Sequence, residues 1–205
     1  MYRYHPRVER LEALVPDAVG EPVGASAVFH NSLSGWPTPP RLDPDLGGGS
    51  IMDLGAYAVD AVTHLLGSPE TVVAQSSDTR DSGVDTATSA VLRYPDGALA
   101  TVSTSFEGQY HQHLHVEGAA GWLRTDPAFA AGSDEETTIE YRVDEREVLE
   151  TFPPADYFRR QVDHFVECIE SGSTPRTDAS NAASYLATID AMRESAASGV
   201  PVSVQ

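Results

Sequence analysis

Apolar positions along this chain recur at helical spacing near both ends and alternate at strand spacing in between. Residues Tyr2 to Val15 carry a short helical pattern, with Val8, Leu11, Leu14 and Val15 apolar and Pro16 behind them. Gly24 to His30 reads as a strand. Asn31 to Gly49 is a long segment rich in Pro, Gly and Asp, and segments of that kind inside a compact domain are usually functional or disordered. A helix over Gly47–Leu66 follows. Thr71–Gln75 is strand-like. Thr86–Ser105 reads as a hairpin turning at Pro95-Asp96-Gly97. Gln112–Leu123 forms a second pair with a turn near Gly118 and Gly121, and Thr137–Phe152 two further edge strands. Two helices close the chain. One, Tyr157–Glu170, puts Phe158, Val162, Phe165, Val166 and Ile169 on one face. The other, Asn181–Ala197, does the same with Tyr185, Leu186, Ile189 and Met192. Gly199 and Pro201 stop it, and a short strand Val202–Val204 ends the chain. Strands that come in hairpins rather than βαβ units predict an α+β domain: an open, mostly antiparallel sheet with helices on one face.

The Leu46–Gly67 stretch, LGGGSIMDLGAYAVDAVTHLLG, carries the densest chemistry. With Ser50 as N-cap, Asp53, Tyr57, Asp60 and His64 fall on one stripe at spacings of four, three and four. The rest of that helix is apolar enough to be largely buried. Ser50 and Asp53 also have the spacing of a capping box, which gives Asp53 a structural role as well as a chemical one. Tyr57 reads equally as a core tyrosine with a satisfied hydroxyl or as a proton-handling group. Asp60 and His64 read as an ion pair. Gly47, Gly48 and Gly49 read as close packing of the loop rather than as an anion cradle.

Composition narrows the partners. Of 205 residues, 31 are acidic and 13 basic, for a formal net charge of −18. Like charge repels nucleic acid and anionic membrane surfaces, so neither is expected as a partner. All 13 cations are arginine and lysine is absent. That composition suits a salt-filled cytoplasm and reads as halophilic, with GC-rich coding compatible with it. No apolar run reaches spanning length and the N-terminal residues lack a leader's apolar core, so a cytoplasmic location is expected. Cys168 is the single cysteine, which rules out an intramolecular disulfide and reads as a buried small hydrophobe. His111, His113 and His115 share one strand face. Zinc is the minor reading and no metal site is assigned; an oligomer-facing stripe is preferred.

In chain order, RYHP, GEPVGASAVF, Arg41-Leu42-Asp43-Pro44, LGGGSIMDLGAY, LLGSPETVVA, RYPDGALATV, VEGAAGWLR and TIDAMRESAASG resemble the oxidoreductase family named for glucose–fructose oxidoreductase, inositol dehydrogenase and the rhizopine protein MocA. The likeness spans nearly the whole chain, with GGGSIMDLGAY its most specific part. That family pairs an N-terminal Rossmann domain, which binds NAD or NADP, with a C-terminal α+β domain whose sheet often forms the oligomer interface. The resemblance implies that residues 1–16 are the last edge of the nucleotide-binding domain plus a connecting helix. Residues 17–205 would be the substrate-binding and oligomerisation domain. Two landmarks of the first domain are missing: no G-x-G-x-x-G follows a strand, and the Glu-Lys-Pro lysine is absent.

The resemblance also implies roles. Tyr57 would exchange a proton with the substrate while hydride moves, with Asp53 beside it. Arg41, Trp36 and His5 would border the substrate, and Arg3 and Tyr4 the cofactor. From the residues alone, salt bridges to the many acids nearby are the preferred reading of Arg41. The expected function is the substrate and oligomerisation half of an NAD- or NADP-dependent sugar or polyol oxidoreductase, a truncated gene product or one partner of a separate Rossmann-domain chain, and inactive alone. The alternatives are a non-catalytic sugar-binding or assembly module and, more weakly, a metal-dependent hydrolase using the histidine stripe.

Overall fold

The structure is a computed structural model that describes residues 1–33, 40–132 and 134–205. A 3-10 turn at Tyr2–Tyr4 leads into α1 (Pro6–Leu14). Pro6 sits at the first helical position and His5 caps the helix, its Nδ1 accepting the Arg7 N–H at 3.1 Å. A π turn at Val15–Val19 connects to β1 (Pro22–His30). After the loop come α2 (Ser50–Asp53), α3 (Gly55–Leu66), β2 (Thr71–Ser77), β3 (Ala87–Arg93), β4 (Leu99–Ser105), β5 (His111–Gly118), β6 (Gly121–Thr125), β7 (Thr137–Val143) and β8 (Arg146–Phe152). The chain ends with α4 (Tyr157–Ser171), α5 (Ala179–Ser198) and β9 (Val202–Ser203).

Among the described residues nine strands form one sheet in the order β8-β7-β6-β5-β1-β4-β3-β2-β9. Two antiparallel meanders, β2–β4 and β5–β8, are stitched together by β1. It runs antiparallel to β5 and parallel to β4, with Ala25 opposite Ala100 and Ala27 opposite Val102. This is the one parallel pairing among the described residues, and hairpin signals do not foretell it because its partners lie 75 residues apart. β7 lies inside the sheet; the edges are β8 and the two-residue β9. The expectation of two edge strands at Thr137–Phe152 therefore holds for one of them.

Alternation along the strands sets the layers. Ala25, Ala27 and Phe29 of β1 and Ala100 and Val102 of β4 point inward, where Ala58, Val59, Ala61 and Val62 of α3 cover them. Small residues on both sides let the helix approach the sheet closely. Ile189 and Met192 of α5 join the same core, as the sequence pattern predicts. The opposite face carries Val73, Val91 and Leu149 in the open, 45%, 45% and 66% exposed. Among the described residues no helix is long and apolar enough to cross a membrane.

α4 departs from expectation. Its apolar stripe does not join the core: Phe158, Val162, Phe165, Val166 and Ile169 are 46–67% exposed. The helix is held along its other edge. There the Arg160 Nε donates to the Tyr4 carbonyl at 2.8 Å, the Tyr157 hydroxyl donates to the Ala131 carbonyl at 3.1 Å, and Cys168 is buried as expected.

Candidate functional site

The helix that carries Tyr57 is pinned at its start by long-range chemistry. Ser50 is the first helical residue rather than the N-cap, and the N-cap is Gly49 at φ 115°, where any side chain would strain the backbone and meet the Asp85 carboxylate. Capping comes from Asp85. Its Oδ2 accepts the Ser50 hydroxyl at 2.6 Å, the Ile51 N–H at 2.9 Å and the Thr88 hydroxyl at 3.0 Å. The Ser50–Asp53 capping box is therefore not formed. A residue from a loop 35 positions on takes that role, leaving the Asp53 carboxylate to face outward. Gly48 bears out the packing reading of the glycines, since a methyl group there would lie 2.6 Å from the Arg41 carbonyl.

The expected single helix is broken at Leu54 into α2 and α3. Asp53, Tyr57 and Asp60 nevertheless line one cavity of about 760 Å³. His64 leaves the stripe: its Nε2 lies 2.8 Å from Glu12 of α1. The Asp60–His64 ion pair is therefore absent. Asp60 is buried and accepts the Tyr2 hydroxyl at 2.6 Å and the Arg3 Nε at 2.8 Å, with the Arg3 Nη2 on its other oxygen. α1 and the Tyr2–Tyr4 turn pack against α3 and bring both partners, which adjacency on one helix cannot reveal.

Tyr57 is half-buried. Its ring packs against Phe29 (centroids 5.5 Å apart), Tyr2 (6.2 Å) and Phe129 (6.3 Å). Burial, then the Asp53 carboxylate, raise the phenol above its ordinary pKa, partly offset by the Arg41 guanidinium. Such a phenol keeps its proton at neutral pH. Arg41 Nε donates to Asp53 Oδ2 at 2.7 Å, so the pair sits on the cavity wall beside Tyr57. Behind the ring, Arg7 and Gln112 fix the loop that carries Phe129. Arg7 donates to the Pro127 and Ala128 carbonyls at 2.5 and 2.8 Å, and burial lowers its pKa to about 10. The Gln112 Oε1 accepts the Phe129 and Ala130 N–H groups at 2.7 and 2.6 Å.

Of the residues singled out in the sequence, the structure brings Arg3, Arg41, Asp53 and Tyr57 to this cavity. His5 and Tyr4 do not line it. His5 is buried, capping α1, with its pKa lowered to about 4 by burial and by the Arg7 and Arg160 cations. The Tyr4 hydroxyl meets Thr177 Oγ1 at 2.9 Å. Trp36 lies outside the described residues. Sequence reasoning missed the far wall, where α4 and α5 contribute Phe158, Gln161, Asn181 and Tyr185. A local signal was available. Asp178 and Asn181 form a capping box that starts α5, and Asn181 and Tyr185 are four apart on it, hence on one face. His111, His113 and His115 lie along the open sheet face beside His30, with neighbouring rings 6.1–6.5 Å apart. Among the described residues no group of three or more His, Cys, Asp or Glu is arranged to hold a metal ion.

The cavity can hold a small polar molecule against one protonated phenol and a carboxylate–guanidinium pair. It does not fit a whole dinucleotide. Arg3 and Arg41, which line it, are each bonded to a carboxylate, and the three glycines follow a 3-10 turn rather than a strand.

Comparison with known proteins is consistent with this geometry. Residues 10–124 match the family model described as the GFO/IDH/MocA C-terminal domain. Over 202 residues the chain is 43% identical to the D-xylose 1-dehydrogenase (NADP(+)) 2 of Haloferax volcanii, a match covering 98% of this chain and 62% of that protein. Among solved structures, the aldose-aldose oxidoreductase of Caulobacter crescentus, complexed with glycerol, superposes with a TM-score of 0.88 at 27% identity. That match covers 98% of this chain and 62% of the other. A 3-ketoreductase from Actinomadura kijaniata, in complex with NADP and TDP-benzene, shares the fold with a TM-score of 0.83 at 24% identity, over 95% of this chain and 60% of its own. The chain thus spans about three fifths of the length of the proteins it matches.

Proposed function

Because the chain belongs to the GFO/IDH/MocA oxidoreductase family, matching its C-terminal domain, we propose that it forms the substrate-binding half of an NADP- or NAD-dependent sugar or polyol oxidoreductase. The observation that carries this reading is the position of Tyr57: its ring is braced by aromatic neighbours, yet it borders an open cavity rather than being sealed in the core. The hydride chemistry belongs to the half that binds the nucleotide. This chain contributes the proton and the sugar.

Tyr57 gives its proton to a substrate carbonyl oxygen in the reducing direction, becoming a phenolate, and in the oxidising direction only the phenolate form takes a proton from a hydroxyl. A phenol whose pKa is raised suits the first role better, because it stays protonated and available to donate. Asp53 and Arg41, paired beside it, offer an acceptor and donors to neighbouring hydroxyls. Arg3 borders the cofactor side of the cavity while its guanidinium holds Asp60. His5 and Tyr4 act, on this reading, through the segments that frame the site, and Trp36 keeps the substrate-bordering role that the resemblance gives it. Residues 1–16 form the edge of the nucleotide-binding half and the connection to it, and residues 17–205 the substrate domain. The open face of the sheet is the surface for a second copy. The acidic, lysine-free surface points to a protein of a salt-rich cytoplasm, whose stability rises with salt.

The test supplies the nucleotide-binding half. The segment of the Haloferax volcanii protein outside the matched region is joined to this chain, and NADPH production is followed over a panel of aldoses. Turnover is expected in the fusion and not in the chain alone. Tyr57→Phe is expected to lower kcat by about 10²–10⁴-fold, the ordinary contribution of a positioned acid or base. A fusion that binds sugar and NADPH, and whose Tyr57→Phe variant turns over equally well, removes the phenol from the chemistry.

A further inference from the structure

The loop that carries Arg41 forms a thin partition. Gly47 and Gly48 line the Tyr57 cavity and also a second cavity of about 360 Å³, which is bordered by Ser76, Asp85, Met192 and Arg193. Glycines between two open spaces have no side chains to pack, so their position rests on backbone hydrogen bonds. Within the loop the Gly48 N–H donates to the Asp43 carbonyl and the Gly49 N–H to the Arg41 carbonyl, both at 2.9 Å. The Gly48 carbonyl turns to α5, where it accepts the Arg193 Nη2 at 3.2 Å. We propose that Arg193 is a positioning residue for substrate affinity: it holds Gly48, and through it the Arg41 backbone, so that the Arg41 guanidinium meets Asp53 on the wall of the Tyr57 cavity. The proposal rests on the functional reading above and adds to it a residue that does not line that cavity.

Three observations carry it. First, Gly48 transmits a displacement directly. A methyl group there would lie 2.6 Å from the Arg41 carbonyl oxygen and 2.9 Å from that of Asp43, so these backbones are already in contact and move together. Second, Arg193 has no competing commitment. Arg3 and Arg41 each hold a carboxylate, whereas among the described residues no carboxylate lies within ion-pairing distance of Arg193, on a molecule with 31 acidic residues. Its half-buried guanidinium is therefore a charge-assisted donor kept for one backbone carbonyl. Third, the place of Arg41 matters to the chemistry. Its Nε donates to Asp53 Oδ2 at 2.7 Å, and both side chains line the cavity beside Tyr57. A loop that slips toward the second cavity draws that donor away from Asp53 and from the hydroxyls of a bound sugar.

The test reads the loop and the site separately. Amide exchange is measured on the chain and on its Arg193→Met variant. Exchange at Gly48 and Gly49 is expected to speed up by about tenfold or more, while that of residues 58–66 in α3 stays unchanged. Steady-state kinetics then use the fusion described above, with the aldose that it turns over. Arg193→Met is expected to raise KM for the aldose by about tenfold, on the scale of one lost hydrogen bond from a charged donor, and to leave kcat within about twofold. Arg193→Lys, which keeps a cationic donor, is expected to restore most of the affinity. In an Arg41→Met background, Arg193→Met is expected to add nothing further, because both changes act through the same guanidinium. An arginine that only supports the fold would instead give no rescue by lysine and losses that add to those of Arg41→Met. Unchanged exchange at Gly48 and Gly49, an unmoved KM or full additivity with Arg41→Met overturns the proposal. A fusion that binds NADPH and turns over no aldose removes the functional reading and the affinity role of Arg193 with it; faster exchange then leaves Arg193 as a tether of the loop alone.

Discussion

Helices α3 and α4 make an instructive pair, because both carry a clear apolar face in the sequence and the molecule treats them oppositely. In α3 the apolar residues Ala58, Val59, Ala61 and Val62 are at most 2% exposed, and the polar edge faces the cavity. In α4 the apolar stripe faces outward and the polar edge grips the body through Arg160 and His164. Periodicity says which side of a helix seeks cover. It does not say that the cover is in the same polypeptide. An apolar stripe left open in this way contributes surface rather than core to the described residues.

The sharpest way to break the contrast is to unpair the buried charge beneath the cavity. Asp60 is held by Arg3 and Tyr2, and Arg3 is only 3% exposed. Removing one partner of a buried pair leaves an uncompensated charge, which costs about 3–5 kcal/mol. Arg3→Met should therefore lower the urea midpoint more than any stripe substitution. Asp60→Asn, which retains an acceptor, should cost less. Equal, small losses for Arg3→Met and for stripe variants would mean that the cavity wall is not better consolidated than α4.

The next effect is acid lability on the same side of the molecule. The His5 imidazole titrates near 6.5 when free and near 4 in the fold. Unfolded chains thus take up a proton below pH 6.5 that folded ones refuse until about pH 4. Stability is complete above the first value, falls between the two and is flat below the second. The total loss is at most about 3 kcal/mol for this group. His30 and His113, also lowered by burial and by neighbouring histidines, add in the same direction. His5→Asn keeps an acceptor at the cap and should flatten the slope of stability against pH in that window. An unchanged slope would assign the lability elsewhere.

How much of this was readable beforehand follows from the range of each interaction. The hairpin at Pro95-Asp96-Gly97, the strands and all three long helices are local patterns, and each is present. The open sheet with helices on one face followed from them. The partners of Asp60, His64 and Ser50 come from 57, 52 and 35 residues away, and no local rule reports them. Tyr57 and Asp53 were legible because they sit one turn apart in one helical stretch. Of the Gln161–Tyr185 wall only the shared face of Asn181 and Tyr185 was legible, because its place over the first helix depends on how two other helices fold. The outward turn of α4 was invisible for a different reason: an amphipathic pattern is the same whichever body it faces.

Asp85 offers an intermediate test. Its carboxylate caps α2 from a loop and ties it to Thr88 at the start of the sheet. Asp85→Ala removes one cap and should cost about 1–2 kcal/mol, in the range of N-cap losses. It should also speed the amide exchange of residues 50–57 while leaving that of α4 unchanged. Opening of both helices together would show that they form one cooperative unit, against the contrast drawn above.

The smallest expected effect bears most directly on that contrast. Phe165 and Ile169 are 54% and 67% exposed. An exposed apolar side chain recovers little transfer free energy on folding, so replacing it with a polar one should change stability by no more than about 0.5 kcal/mol. Phe165→Gln and Ile169→Gln, singly and together, are expected to leave the urea midpoint of the chain alone almost unmoved. At an inward position such as Ile189, fully buried in α5, the same kind of change should cost several times more, about 2–5 kcal/mol for truncation to Ala. A stripe variant that unfolds the isolated chain would mean that α4 turns its apolar face inward in solution, and the helix would then be ordinary core. Near-neutral stripe variants would show that the fold of the described residues does not draw on the apolar face of α4.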